Sequence, residues 1–92
     1  MDDLQEKFLR KLEDESARWV EEELARRMVY AKEAIEEQVN AALPEIGPAR
    51  AQNHLKKALA FAKENIRMDL ELEAQTWIDE EMEKRRAAND ER

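Results

Sequence analysis

Polar residues able to form hydrogen bonds recur every eleven positions within the otherwise apolar face of each half of the chain. They form three pairs whose residue numbers add up to the same value. If the chain folds back on itself near residue 46, each polar side chain therefore faces another. The predicted pairs are Ser16 with Thr76, Arg27 with Asn65, and Gln38 with His54.

The middle pair is the one whose chemistry could extend to catalysis or ligand binding. Glu23 lies one helical turn before Arg27, and Asp69 lies one turn after Asn65, so the four polar groups could share a layer. A buried Arg needs a carboxylate and further acceptors, because desolvating it alone is costly. Three interpretations stay open: a ligand or catalytic pocket in a helical bundle, a hydrogen-bonded layer that fixes register and partner choice, and border residues that reach water.

The other titratable residues do not form a catalytic or metal-binding motif. His54 is the only histidine, and Ala51 stands three residues before it, where a di-iron bundle carries Glu. A zinc site would need two carboxylates beside His54, and Ser16 has no histidine near it in a hairpin. Lys or Arg lies within one turn of most acidic clusters, which is typical of solvated helix faces. We predict no catalytic residue, metal or cofactor, and an assembly role is favoured over an enzyme.

The composition is that of one highly charged helical domain spanning residues 1–92. Charged residues make up 42% of the chain, and there are one Gly, two Pro and no Cys. Such a composition favours long helices, since Glu, Lys, Arg, Leu and Ala are good helix formers. The net charge of −7 works against binding to nucleic acid or anionic lipid, both of which need a basic surface. No apolar run approaches the length of a membrane span, so we expect a soluble protein, cytoplasmic if it is natural.

Gly and Pro occur only in one short segment, which predicts the position of the turn. Pro44 disfavours the α conformation at Leu43, and Gly47 followed by Pro48 suits the start of a helix. The sequence therefore predicts a helix over residues 2–43, a turn over 44–48 and a second helix over 49–89, each helix being about 40 residues long.

The apolar residues follow an eleven-residue step better than a seven-residue step, which favours nearly straight or slightly right-handed helix packing. Each helix has two apolar faces, and on the second helix one of these faces contains Phe61, Met68 and Leu72. Two helices alone cannot bury so wide an apolar surface. We predict an all-α antiparallel hairpin that pairs with a second copy to form a four-helix bundle. The predicted core and interface residues are Leu9, Trp19, Val20, Leu24, Met28, Tyr30, Ile35, Val39, Leu55, Leu59, Phe61, Ile66, Leu70, Leu72 and Trp77.

The N-terminal segment carries more apolar residues than the C-terminal segment that would lie opposite it. We expect either the second chain or a helix of another partner to cover this end, in which case the hairpin is an adaptor. The residues concerned are Leu4, Phe8, Leu9 and Leu12.

Two long helices joined by one Pro-Gly turn resemble the Rop type of helical hairpin, which dimerises into a four-helix bundle. The resemblance covers the whole chain at the level of pattern, and no family motif is matched. It implies a dimeric bundle, but not the RNA binding of Rop, because the chain has no basic face. The regular repeat and the helix-favouring composition also resemble a computationally designed bundle, which would have no natural function beyond assembly.

Overall fold

The computed structural model describes the backbone of residues 3–90 and the side chains of residues 3–88. It contains two α-helices, α1 at Asp3–Ile46 and α2 at Pro48–Asp90. They pack against each other along a hairpin that measures 69 × 20 × 14 Å. The predicted all-α helical hairpin is therefore confirmed. The expected first helical residue, at position 2, lies outside the described residues.

A single residue, Gly47, makes the turn. Its backbone has a positive φ of 81°, which glycine adopts without the strain that a Cβ atom would cause. The Gly47 N–H donates to the Leu43 carbonyl at 2.9 Å, and the Gly47 carbonyl accepts from the Ala51 N–H at 3.0 Å. Gly47 thus caps the end of α1 and also starts α2, with Pro48 at the first helical position.

Helix α1 extends three residues past its expected end near residue 43. Helix α1 continues through Pro44 to Ile46. Pro44 lacks an N–H group and so removes one hydrogen bond from the last turn of α1. The hydrogen bond from Gly47 to the Leu43 carbonyl closes that turn, and the half-buried Ile46 side chain lies within it. These contacts keep the helix going past the proline.

The core lies along the seam between the helices, and most of its buried positions are spaced by four residues. Each step of four turns the side chain by about 40° around the helix, so the seam moves around the helix surface. The eleven-residue step from Ile66 ends at Trp77, but the buried position is Ile78, one residue later. The central cluster consists of Val20, Leu24, Leu70 and Ala74, with Met28 and Ile66 packed against it.

The predicted core and interface residues fall into three classes of burial in the single hairpin. The buried members are Val20, Leu24, Val39 and Leu70. The half-buried members are Leu9, Met28, Ile35, Leu55, Leu59 and Ile66. The exposed members are Trp19, Tyr30, Phe61, Leu72 and Trp77.

Three buried residues of α2 were missed by the sequence analysis. Ala51, Ala74 and Ile78 are all nearly inaccessible to solvent. Ala74 and Ile78 lie four and eight residues after Leu70, so extending the four-residue spacing from Leu70 would have identified them. The eleven-residue step led to Trp77 instead.

Candidate functional site

An apolar cleft of about 540 Å³ lies between the two helices beside the central core. Its buried lining residues are small, Ser16 from α1 and Ala74 from α2. Trp19 and Trp77 line it on either side, and each remains more than one-third exposed. Glu15 and Glu73 complete the lining. The cleft is therefore a mainly apolar groove with acidic residues at its margin.

Ser16 is the one predicted polar position that the hairpin buries. Its Oγ donates to the Glu13 carbonyl of the same helix at 3.0 Å. This local bond satisfies the hydroxyl without a partner on α2. Ser16 thus serves as a small lining residue of the cleft, and its position gives no sign of a nucleophile.

The other five paired polar residues are exposed on the single hairpin. Thr76 does not face Ser16: its Oγ1 donates to the Leu72 carbonyl of its own helix at 3.0 Å. The exposed residues are Arg27, Gln38, His54, Asn65 and Thr76. The burial of these five residues between two associated hairpins therefore stays a prediction.

The layer of Glu23, Arg27, Asn65 and Asp69 does not form within the hairpin. A guanidinium nitrogen of Arg27 lies 3.8 Å from a carboxylate oxygen of Glu73. Glu23 instead pairs with Arg26 at 2.9 Å on its own helix. Asn65 and Asp69 are exposed.

The predicted facing pairs fail because of the position of the turn. The turn is at Gly47 and not at residue 46, so the residue opposite a given position moves by two. Two residues correspond to about 200° around a helix. Ile78 therefore takes the buried place that the pairing had assigned to Thr76.

A second ion pair crosses the seam, between Arg67 of α2 and Glu21 of α1. The hydrogen bond from the Arg67 guanidinium holds the pKa of Glu21 below its usual value. The same bond raises the pKa of Arg67. The two residues are 46 positions apart in sequence, so no local spacing could have revealed the pair. This pair has its arginine on α2, whereas Arg27–Glu73 has its arginine on α1, so the two ion pairs cross the seam in opposite directions.

The face of α2 that points away from α1 carries a second apolar surface, which we call the outer stripe: Phe61, Asn65, Met68 and Leu72. Phe61 is 70% exposed and Leu72 is 67% exposed, whereas Leu70 is fully buried against α1. Met68 and Leu72 each lie two residues from Leu70, about 200° around the helix. The outer stripe is therefore opposite to the hairpin core.

The N-terminal apolar segment is only partly open. Leu4 is 72% exposed, Leu9 is half-buried and Leu12 is buried at the seam. The guanidinium carbon of Arg85 lies 4.3 Å from the centre of the Phe8 ring, a cation–π contact. The long Arg85 side chain thus covers apolar surface that the sequence analysis had assigned to another chain.

Within residues 3–90, His, Asp and Glu form no group of three that could hold a metal ion. In the same range, neither helix has a stretch apolar enough to cross a membrane. No protein-family model, curated protein or solved structure matched the chain in comparisons. The geometry of the hairpin is therefore the basis for any functional assignment.

Proposed function

We propose that this chain is a structural assembly module, a helical hairpin that pairs with a second copy of itself to form a four-helix bundle. The observation that carries the proposal is the large apolar side chains that the hairpin leaves in contact with water. They occur on both helices and along most of the length of the hairpin. They are Leu4, Trp19, Val29, Tyr30, Leu43, Phe61, Met68, Leu72 and Trp77.

The total surface of the hairpin supports the proposal. Its solvent-accessible area is 7583 Å², whereas a compact monomer of 10.9 kDa exposes about 5600 Å². The excess of about 2000 Å² is larger than the roughly 800 Å² that each partner buries in a standard interface. The uncovered surface of each chain is therefore large enough to form a stable interface with a second copy.

The elongated shape of the hairpin also supports self-association. The radius of gyration is 20.1 Å, compared with about 12 Å for a compact domain of this length. A single layer of two helices has no second layer against which to bury its other apolar faces. Pairing two hairpins supplies that layer. If the chain is a designed bundle, this assembly is its whole function.

The test is a dilution series of the full chain, followed by sedimentation equilibrium and by circular dichroism melting. Self-association predicts a dimer mass at high concentration and a Tm that falls on dilution, because dissociation and unfolding are linked by mass action. A chain that sediments as a folded monomer at about 500 μM, a concentration far above most specific dissociation constants, would overturn the proposal.

The alternative function is that of an adaptor, which would bind a helix of a different protein on the same exposed surface. It predicts that the chain alone is monomeric and melts at the same Tm over the whole dilution series. The mass measurement therefore separates the two proposals directly. The exposed Leu4 and its neighbours at the N-terminal end are the first place to look for such a helix.

A further inference from the structure

The outer stripe of α2 has a spacing that reads the same in both chain directions. Phe61, Asn65, Met68 and Leu72 are separated by four, three and four residues. A two-fold axis between residues 66 and 67 would therefore place Phe61 opposite Leu72 of a second copy. The same axis would place Asn65 opposite Met68. The stripe is self-complementary in an antiparallel arrangement, which is the requirement for an isologous dimer.

The symmetry extends to the polar and charged residues at both ends of the stripe. Continuing along the same face, Arg50 and His54 precede Phe61, while Asp79 and Glu83 follow Leu72. All four are exposed. The same two-fold axis would bring Arg50 opposite Glu83 of the second copy and His54 opposite Asp79. In a parallel arrangement, each of these residues would instead face the same residue of the second copy.

The overall charge of α2 also favours an antiparallel second copy. Residues 48–68 contain five basic residues and one acidic residue, while residues 69–83 contain seven acidic residues and no basic residue. Within the hairpin, the acidic half of α2 runs beside residues 11–25 of α1, which have six acidic and two basic residues. Apart from Arg27, which pairs with Glu73, α1 therefore adds negative charge beside this acidic half. Antiparallel pairing of α2 with its copy would set the basic half of each helix against the acidic half of the other.

We infer that the dimer interface is the outer stripe, with α2 packed antiparallel against α2 of a second copy about an axis between residues 66 and 67. The inference rests on the proposed self-association and names the surface that carries it. Because the outer stripe faces away from α1, the four helices would lie side by side in the order α1–α2–α2–α1, and not as two stacked layers. From Arg50 to Glu83 the contact would be about 50 Å long and about 10 Å wide. It would bury about 1000 Å² in total, which is at the lower limit of specific interfaces. Asn65 would be a polar residue in the middle of an apolar contact, where such residues specify register.

Two aromatic residues with matched exposure test the location of the interface. Phe61 is 70% exposed on α2, and Tyr30 is 71% exposed on α1. We expect Phe61→Ser to weaken the dimer at least about tenfold in sedimentation equilibrium, as loss of a central aromatic contact does. Tyr30→Ser should weaken it less than about threefold. Both side chains are on the surface, so circular dichroism should show an unchanged helix content.

Charge reversal tests the orientation of the two copies. Arg50→Glu and Glu83→Arg should each weaken the dimer, because each places like charges opposite each other. The double variant Arg50→Glu with Glu83→Arg should recover most of the wild-type affinity. In a parallel dimer the residues never face each other, so the double variant would show no recovery, and that result would overturn the antiparallel arrangement.

Spin labels on single cysteines give an independent measurement, because the chain has no natural cysteine. In the antiparallel arrangement, the distance between equivalent labels grows by about 3 Å for every residue away from the axis. Labels at Glu64→Cys should lie close together, whereas labels at Thr76→Cys should be about 30 Å apart. Equal, short distances at both positions would contradict the inference.

The failures of the two proposals are distinguishable. A wild-type chain that is monomeric in the dilution series overturns the proposed function and the inference together. A wild-type dimer that is insensitive to Phe61→Ser but dissociates with Tyr30→Ser overturns only the inference, because the contact then lies on α1.

Discussion

At the scale of single residues, replacing Arg27 tests whether this residue forms a surface ion pair or belongs to a buried polar layer. Its side chain is 43% exposed and lies 3.8 Å from Glu73. Exposed pairs of this kind contribute about 0.2 to 1 kcal/mol. We therefore expect Arg27→Leu to change the free energy of unfolding by less than about 1 kcal/mol, as measured by urea denaturation.

The control for this variant is Arg26→Leu, since Arg26 is 71% exposed and pairs within its own helix. A loss of more than about 3 kcal/mol for Arg27→Leu alone would contradict the surface assignment. Such a loss would mean that the assembled state buries a carboxylate that depends on Arg27.

The Glu21–Arg67 pair makes a pH-dependent contribution to stability. Because the hydrogen bond from Arg67 lowers the pKa of Glu21 in the folded chain, the unfolded chain binds a proton there more readily. The contribution is therefore complete at neutral pH and is lost as the pH falls through the lowered pKa of Glu21. We expect Glu21→Gln to lower the Tm modestly at pH 7 and to leave it unchanged in strong acid.

The matched control is Glu22→Gln, which removes the neighbouring carboxylate from the same helix. Thermal melts of both variants across the acidic range provide the measurement. If Glu21→Gln lowered the Tm equally at neutral and strongly acidic pH, the effect would come from something other than this ionised pair.

At the scale of the elements, the hairpin depends on one backbone angle. Gly47 has a φ of 81°, and a Cβ added there would meet no atom within 4 Å. The cost of a side chain at this position is therefore conformational and not steric crowding. We expect Gly47→Ala to lower the free energy of unfolding by about 1 to 2 kcal/mol.

Gly47→Asn is the matched variant, because Asn tolerates the left-handed conformation better than Ala does. It should lose less stability than Gly47→Ala in the same urea titration. Equal losses for the two variants would show that the positive φ is not the cause.

The two helices and the Gly47–Pro48 junction followed from composition and from the backbone chemistry of Gly and Pro. The end of α1 did not, since the cost of Pro44 was outweighed by the capping bond from Gly47 to Leu43. A turn placed one residue too early then shifted every predicted pair by two positions, so Ile78 took the buried place expected for Thr76. The long Arg27 side chain reaches further along the seam, to Glu73. Pairing across a long hairpin depends on the exact turn residue, which local patterns fix only approximately.

At the scale of the whole molecule, a two-helix hairpin is a single layer with two sides. One side of each helix is used in the seam, where Leu24 and Leu70 lie in one core cluster. The remaining apolar surface, including Phe61 and the cleft beside Trp19, has no partner within the hairpin. The half of the molecule away from the turn is strongly acidic, whereas residues 48–68 are basic. The uncovered apolar surface favours a second chain, and the charge distribution favours antiparallel packing of α2 against its copy.

The one-residue connection has a topological consequence. Gly47 alone interrupts the helical backbone between Asp3 and Asp90. If Gly47 adopted helical φ and ψ angles, which the following Pro48 disfavours, α1 and α2 would become one rod of about 130 Å. Two such rods can exchange their second halves and rebuild each Leu24–Leu70 contact between chains, which is domain swapping. The backbone conformation of one residue, Gly47, therefore separates the closed hairpin from a domain-swapped pair with the same core.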